Sequence, residues 1–359
     1  MASARFYRSI AFHSTDTPLH AKFMAAFYFI SGIFCPKSLD RKGFRVFVLD
    51  KLMRLGGPFV LYNFVLGPLL HVAANAFAGQ PLRYNEDCGP TWFVFWLLNF
   101  SILYAIIAQF MPVIKFKMPH PVLMTLGGFA IGLIWFGLNI PLGLSAWFGF
   151  WNNAGVAQLI SMYIPFFAAG IIAGRSGWLE TIVSRSQCTR WGLRVALIIF
   201  LLALTVAMVF EHQFVTAFYY GILLEGPLWI ALQVLFACLV GWYAVGMTCA
   251  EISFFHEFLN FNTKFMGAMG AAAYAVYIIH PWIFNLWIMV FVEILKAAHV
   301  PIVFISGPIY QTIGADGEPE ALSGGMLWGG QTFVFVLTQL TVWPAAYYLR
   351  KLPILNKML

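Results

Sequence analysis

Residues 268–291 read AMGAAAYAVYIIHPWIFNLWIMVF, a run without a single charged side chain. As a helix it is about 36 Å long, enough to cross the ~30 Å hydrocarbon core of a bilayer. Helix is the form expected, because lipid offers no partner for an open backbone N–H or C=O. Yet its centre carries His280 followed by Pro281. Pro281 has no N–H, so the Tyr277 carbonyl loses its usual helical partner. A neighbouring helix, a polar side chain or water must take that place. Tyr274, Tyr277, Pro281 and Asn285 share one helical stripe, with His280 at its edge. Such a stripe is too polar for lipid and points into a bundle or a wet cavity. Two uses stay open: a kinked packing helix with a satisfied histidine, or a cavity lining where His280 binds substrate or relays a proton.

The rest of the chain has the same character. Of 359 residues, 61% are hydrophobic and only 10% charged, with 37 Phe and 13 Trp; soluble domains carry about 25% charged residues. Apolar stretches predict nine spans, near 19–35, 58–78, 91–111, 121–140, 155–173, 193–210, 226–247, 268–291 and 326–348. The fold class expected is an all-α polytopic transmembrane helix bundle. Residues 1–18 form a polar N-terminal segment without a signal-peptide core, 19–348 one transmembrane domain, and 349–359 a tail. The loop at about 292–325 contains GADGEPEALSGG and is expected to be a flexible surface loop.

Basic residues set the orientation, since cytoplasmic loops are enriched in Lys and Arg. Of the 21 Lys and Arg, only Arg5, Arg8, Lys22, Arg83 and Lys296 fall on one side of the nine spans. The other side holds the rest, including Lys37, Arg41, Lys42, Arg45, Lys51 and Arg54 in the basic loop expected at 36–54. The C-terminus is therefore expected in the cytoplasm and the N-terminus as given outside. The +7 net charge is a topology signal, and no nucleic-acid partner, zinc spacing or phosphate loop accompanies it. Cys88 falls alone on the outer side, so no disulfide is expected there. An outside N-terminus without a signal peptide leads to a further expectation, that one helix is missing ahead of Leu19.

Several polar positions stand out. Lys51 and Arg54 lie one turn apart at the cytoplasmic end of the second span. They serve either as topology anchors or as a cationic mouth for a phosphorylated ligand, and GlyGlyPro at 56–58 offers a backbone break beside them. Trp92, Trp96 and Asn99 make a stripe, with Asn99 deep enough to require a partner. Glu225 sits at the mouth of the seventh span, where an ionisable residue is a functional candidate.

The stretches FYFISGIFCPKSLDRKGFRVFVLDKLMRLGGPF, GPTWFVFWLLNFSILYAI, PFFAAGIIAGRSGWLE, AAYAVYIIHPWIF and YYLRKLPILNKML, in this order, resemble the membrane-bound acyltransferase 3 family. The likeness runs from about Ala25 to Leu359 and is nearest the branch of the glucan biosynthesis protein C. The resemblance implies a core of about ten helices that moves an acyl group, acetyl or succinyl, from cytoplasmic acyl-CoA to a hydroxyl of a carbohydrate. It implies no tightly bound cofactor and no metal; acyl-CoA is the donor substrate, the carbohydrate the acceptor and the bilayer the setting. By position, Lys51 and Arg54 correspond to a basic donor-binding motif. Gly89, Pro90, Trp92 and Phe93 match the turn opening the next helix, and Tyr274, Tyr277, His280 and Pro281 a late Tyr-x-x-Tyr-x-x-His-Pro signature. The expected cavity lining comprises Trp92, Asn99, Glu225, Tyr274, Tyr277, Pro281 and Asn285, with His280 in support. The family's catalytic histidine belongs to a first helix that residues 1–18 do not form, so an inactive truncated chain is expected. A solute transporter or channel is the rival reading, and a scaffold without chemistry a third; the dense basic segment 36–54 favours a nucleotide-bearing donor.

Overall fold

Gly43, at φ 72°, separates two long helices, a left-handed backbone position that suits glycine. In the computed structural model the described residues are 17–84, 86–142, 159–184, 187–210, 222–261, 263–306, 309–313, 319–320 and 324–352. Helix α1 spans Thr17–Lys42 and α2 Phe44–Phe77. They are followed by α3 (Gly89–Ile107), α4 (Pro121–Leu142) and α5 (Leu159–Ser176). Next come α6 (Trp178–Val183), α7 (Gln187–Phe210) and α8 (Pro227–Phe258). Helix α9 (Lys264–Ala297) leads to the strands β1 (Ile302–Ser306), β2 (Ile309–Ile313) and β3 (Pro319–Glu320), and α10 (Gly324–Leu349) ends the described fold.

Among the described residues, seven helices are long and apolar enough to cross a membrane: α2, α3, α4, α5, α8, α9 and α10. Helices α1 and α7 occupy the remaining predicted spans, 19–35 and 193–210. The chain is an all-α polytopic membrane bundle with a small antiparallel sheet in order β1-β2-β3.

Two expectations are corrected. The segment 36–54 is not a basic loop: Lys37 to Lys42 complete α1, and Arg45, Lys51 and Arg54 lie in α2. A single glycine suffices to turn the chain, so the charges ride on helix rather than on loop. The region 292–325 is not uniformly loop either. Helix α9 continues to Ala297, and IVFIS pairs with IYQTI in register Ile302↔Thr312, as β-branched and aromatic residues favour. Residues 314–318 and 321–323, most of GADGEPEALSGG, lie outside the described residues, as does the N-terminal segment 1–16.

The chain packs as two compact units: residues up to Asp50 with Trp96–Phe261, and Lys51–Phe95 with Asn262–Leu359. In the first, glycine brings helices close. A Cβ at Gly170 of α5 would lie 2.1 Å from the Phe29 carbonyl oxygen of α1, and one at Gly132 of α4 only 1.8 Å from the Ala237 oxygen of α8. Backbones this close are the usual solution where lipid supplies no hydrophobic drive between helices. Arg194 of α7 is buried, hydrogen-bonded to Ser253 and Glu257 of α8, with the rings of Trp191, Phe254 and Phe258 against its guanidinium. Pairing and ring contact offset the cost of burying the charge. Arg175 similarly grips Asp40 and the Tyr104 hydroxyl.

In the second unit, Ala272 and Ala275 of α9 meet Ala346 of α10. Trp287 Nε1 donates to Thr341 Oγ1 at 3.0 Å, and Phe291 packs on Phe333. This packing holds α9 in the orientation its polar stripe requires.

Candidate functional site

The second unit joins three distant stretches of sequence through carbonyls that proline leaves without their helical partner. Pro58, Pro68 and Pro281 lack the N–H that a regular helix offers to the carbonyl four residues earlier. Those carbonyls belong to Arg54, Phe64 and Tyr277. The Tyr274 hydroxyl donates to the Arg54 oxygen at 2.8 Å, the Tyr84 hydroxyl to the Phe64 oxygen at 2.7 Å, and His280 Nδ1 to the Tyr277 oxygen at 2.7 Å. The carbonyl exposed by Pro281 is thus satisfied from within its own turn, by the histidine beside it.

Helix α2 absorbs its prolines in two π-helical turns, Leu52–Gly56 and Tyr62–Leu66, rather than in a break. The expected opening at Gly56–Pro58 does not exist; the helix widens and continues. Such wide turns recur at functional sites. Lys51 caps the first one, half-buried, and Arg54 lies within it, exposed.

The turn opening α3 is the hub. Tyr277 donates its hydroxyl proton to the Pro90 carbonyl, and Phe93 meets the Tyr277 ring edge-on at 6.3 Å. Gly89 has φ 41°, and a Cβ there would lie 2.4 Å from the Tyr62 ring, so only glycine fits between turn and ring. The Gly89 N–H donates to Asp87 Oδ1 at 2.8 Å, while Asp87 Oδ2 meets His71 Nε2 at 3.0 Å. Tyr274 stacks on Tyr277, centroids 6.4 Å apart.

Burial pushes the Asp87 carboxyl upward, but the His71 hydrogen bond, the Gly89 N–H and the imidazole charge outweigh it, so its pKa lies below the ordinary carboxylate value. A depressed carboxylate contributes stability above its unfolded pKa of about 4, and that contribution fades as pH falls through the lower folded value. The melting temperature of the wild type in detergent should therefore exceed that of Asp87→Asn at pH 7, with the gap closing towards pH 3. A gap unchanged over that range would show that the carboxylate charge contributes nothing.

The predicted residues divide between the units. Lys51, Arg54, Trp92, Tyr274, Tyr277, His280, Pro281 and Asn285 belong to the second. Trp92 is buried, against Phe93. Asn285 bonds back to the Pro281 carbonyl at 2.8 Å. Asn99, exposed on α3, and Glu225, exposed in the turn before α8, belong to the first. Sequence reasoning passed over His71, Asp87 and Tyr84. The proline rule could have asked for a partner to Phe64; nothing local announces a bond between residues 16 apart.

The family model described as an acyltransferase domain, of the acyltransferase 3 type, matches residues 7–347. Comparison with curated proteins and with solved structures returned no match. A match over nearly the whole chain, on an all-helical membrane bundle that assembles the Lys51/Arg54, Gly89/Pro90 and Tyr274/His280 stretches in one unit, places this protein in the acyltransferase 3 family of membrane acyltransferases.

Proposed function

We propose that the protein is an O-acyltransferase that moves an acetyl or succinyl group from acyl-CoA to a hydroxyl of a carbohydrate, as in the glucan biosynthesis protein C branch. The observation that carries this reading is the pair of hydrogen bonds from Tyr274 to Arg54 and from Tyr277 to Pro90. They tie the basic turn of α2, the turn opening α3 and the kinked helix α9 into one constellation. In this reading the Lys51 end of α2 and the C-terminus face the cytoplasm. Lys51 and Arg54 hold the donor's phosphates, and guanidinium and ammonium groups suit that task. His280 lines the acyl passage. With Nδ1 donating to the Tyr277 carbonyl, the acceptor lone pair of a neutral ring lies on Nε2.

The test is reconstitution of the full chain in proteoliposomes with radiolabelled acetyl-CoA or succinyl-CoA and a glucose oligosaccharide. Label should appear on the sugar as an alkali-labile ester, without accompanying flux of small solutes. His280→Ala is expected to lower transfer about tenfold or more, the scale of a lost hydrogen bond to substrate together with an orphaned carbonyl. Full transfer by His280→Ala would return His280 to packing, and solute flux without transfer would replace the enzyme by a transporter.

A further inference from the structure

Asn63 of α2 is fully buried, and neither atom of its side-chain amide has a hydrogen-bond partner among the described residues. A buried amide ordinarily pairs both its oxygen and its nitrogen, because the water it gave up must be replaced. Gln233 of α8, equally buried, does so. It donates to the Ile222 carbonyl at 2.9 Å and accepts from the Leu224 N–H at 3.2 Å. Asn63 keeps its donors and its acceptor uncommitted.

Asn63 lies in the π-helical turn Tyr62–Leu66, a widened turn of the kind that recurs at functional sites. That turn packs on Gly89–Thr91, with the Tyr62 ring against Gly89. The Tyr277 hydroxyl bonds to Pro90 of the same three residues. The amide is thus carried by the scaffold that joins α2, the opening of α3 and the α9 signature. Arg54 stands nine residues earlier on the same helix, about 13 Å along the axis. A donor held by its phosphates at Lys51 and Arg54 extends its pantetheine arm towards the middle of the span. About twelve bonds separate the pyrophosphate from the thioester sulfur, a reach of about 14 Å at the spacing of an extended chain. The acyl carbonyl then comes level with Asn63.

Resting on the acyl-transfer reading above, we propose that Asn63 receives the donor's acyl carbonyl, its Nδ2 donating to the thioester oxygen. The acceptor hydroxyl oxygen bonds to the carbonyl carbon, the C–S bond breaks, and the hydroxyl proton ends on the sulfur. Ester and CoA thiol result. Between these events the carbonyl oxygen carries negative charge, and an amide already in place, away from water, stabilises it. The bond is stronger to that oxyanion than to the neutral carbonyl, so it raises kcat more than it tightens donor binding.

The experiment uses the full chain in proteoliposomes, labelled succinyl-CoA and acetyl-CoA as donors and a glucose oligosaccharide as the acceptor probe. Asn63→Leu has the same branched shape without the amide. Its kcat should fall about 10²-fold or more, with KM for the donor little changed. Its melting temperature in detergent should equal or exceed that of the wild type, because an unpaired polar group has left the interior. Asn63→Thr keeps one donor and should lose less. Wild-type transfer with Asn63→Leu at the wild-type rate would overturn the proposal and leave the acyltransferase reading standing. Equal losses in both variants, each melting below the wild type, would also overturn it and make Asn63 a packing residue. No transfer by the wild type would remove both readings together.

Discussion

Gly132→Val is expected to prevent α4 and α8 from packing and to remove most folded protein. The first side-chain carbon would sit 1.8 Å from the Ala237 carbonyl oxygen, inside any permitted contact, and the obstacle is backbone, which cannot swing aside. Gly241 across the interface is as tight, 2.0 Å from the Gly128 oxygen, so the helices cannot slide to relieve one contact without closing the other. Overpacking of a core costs about 1–3 kcal/mol where side chains can adjust; a clash between two helix backbones should exceed that, a large share of the total stability of a domain. Gly137→Val is the control. It lies on the same helix, and a Cβ there meets nothing within 4 Å, so it should be tolerated, since valine is a better helix former than glycine. The measurement is monodisperse yield and melting temperature in detergent. Equal melting of Gly132→Val and wild type would mean that the two helices do not approach through their glycines.

The second large effect concerns the donor. Lys51→Glu with Arg54→Glu should lower kcat/KM for acyl-CoA about 10²-fold or more. Each lost charge-assisted hydrogen bond is worth about 1.5–3 kcal/mol, and the introduced carboxylates repel the same phosphates. Most of the loss should appear in KM, because phosphates far from the reacting carbon are bound alike in ground and transition state. The design is clean for a structural reason. Tyr274 bonds to the main-chain oxygen of Arg54, so changing the side chain leaves the link between α2 and α9 intact. A double variant with unchanged KM at saturating acceptor would remove these two residues from donor binding and leave them as topology anchors.

Much of this was legible along the chain. Pro281 demanded a partner for the Tyr277 carbonyl, and His280 supplies it. The same reasoning, applied to Pro58, would have demanded one for Arg54, which Tyr274 supplies. The basic segment 36–54 was misjudged as loop because helix and loop look alike where a single glycine separates two helical runs. Gly56–Pro58 was misjudged as a break because a π-helical turn has no sequence period of its own. Depth along a helix does not say which way a residue faces: Asn99, deep in its span, lies exposed.

The sequence by itself determined the class of the protein and where its long apolar runs cross as helix. Hydrocarbon admits only chains that close their own backbone hydrogen bonds, so each long apolar run had a single solution. Which helices touch, and therefore which side chains meet, was left to the tertiary structure. Tyr274 reaches Arg54 across 220 residues, Tyr277 reaches Pro90 across 187, and His71 finds Asp87 across a turn of the chain. No local pattern records such pairs, because they are set by glycine-close helix contacts and by the lateral packing of α9 on α10, both of which exist only once the bundle has formed.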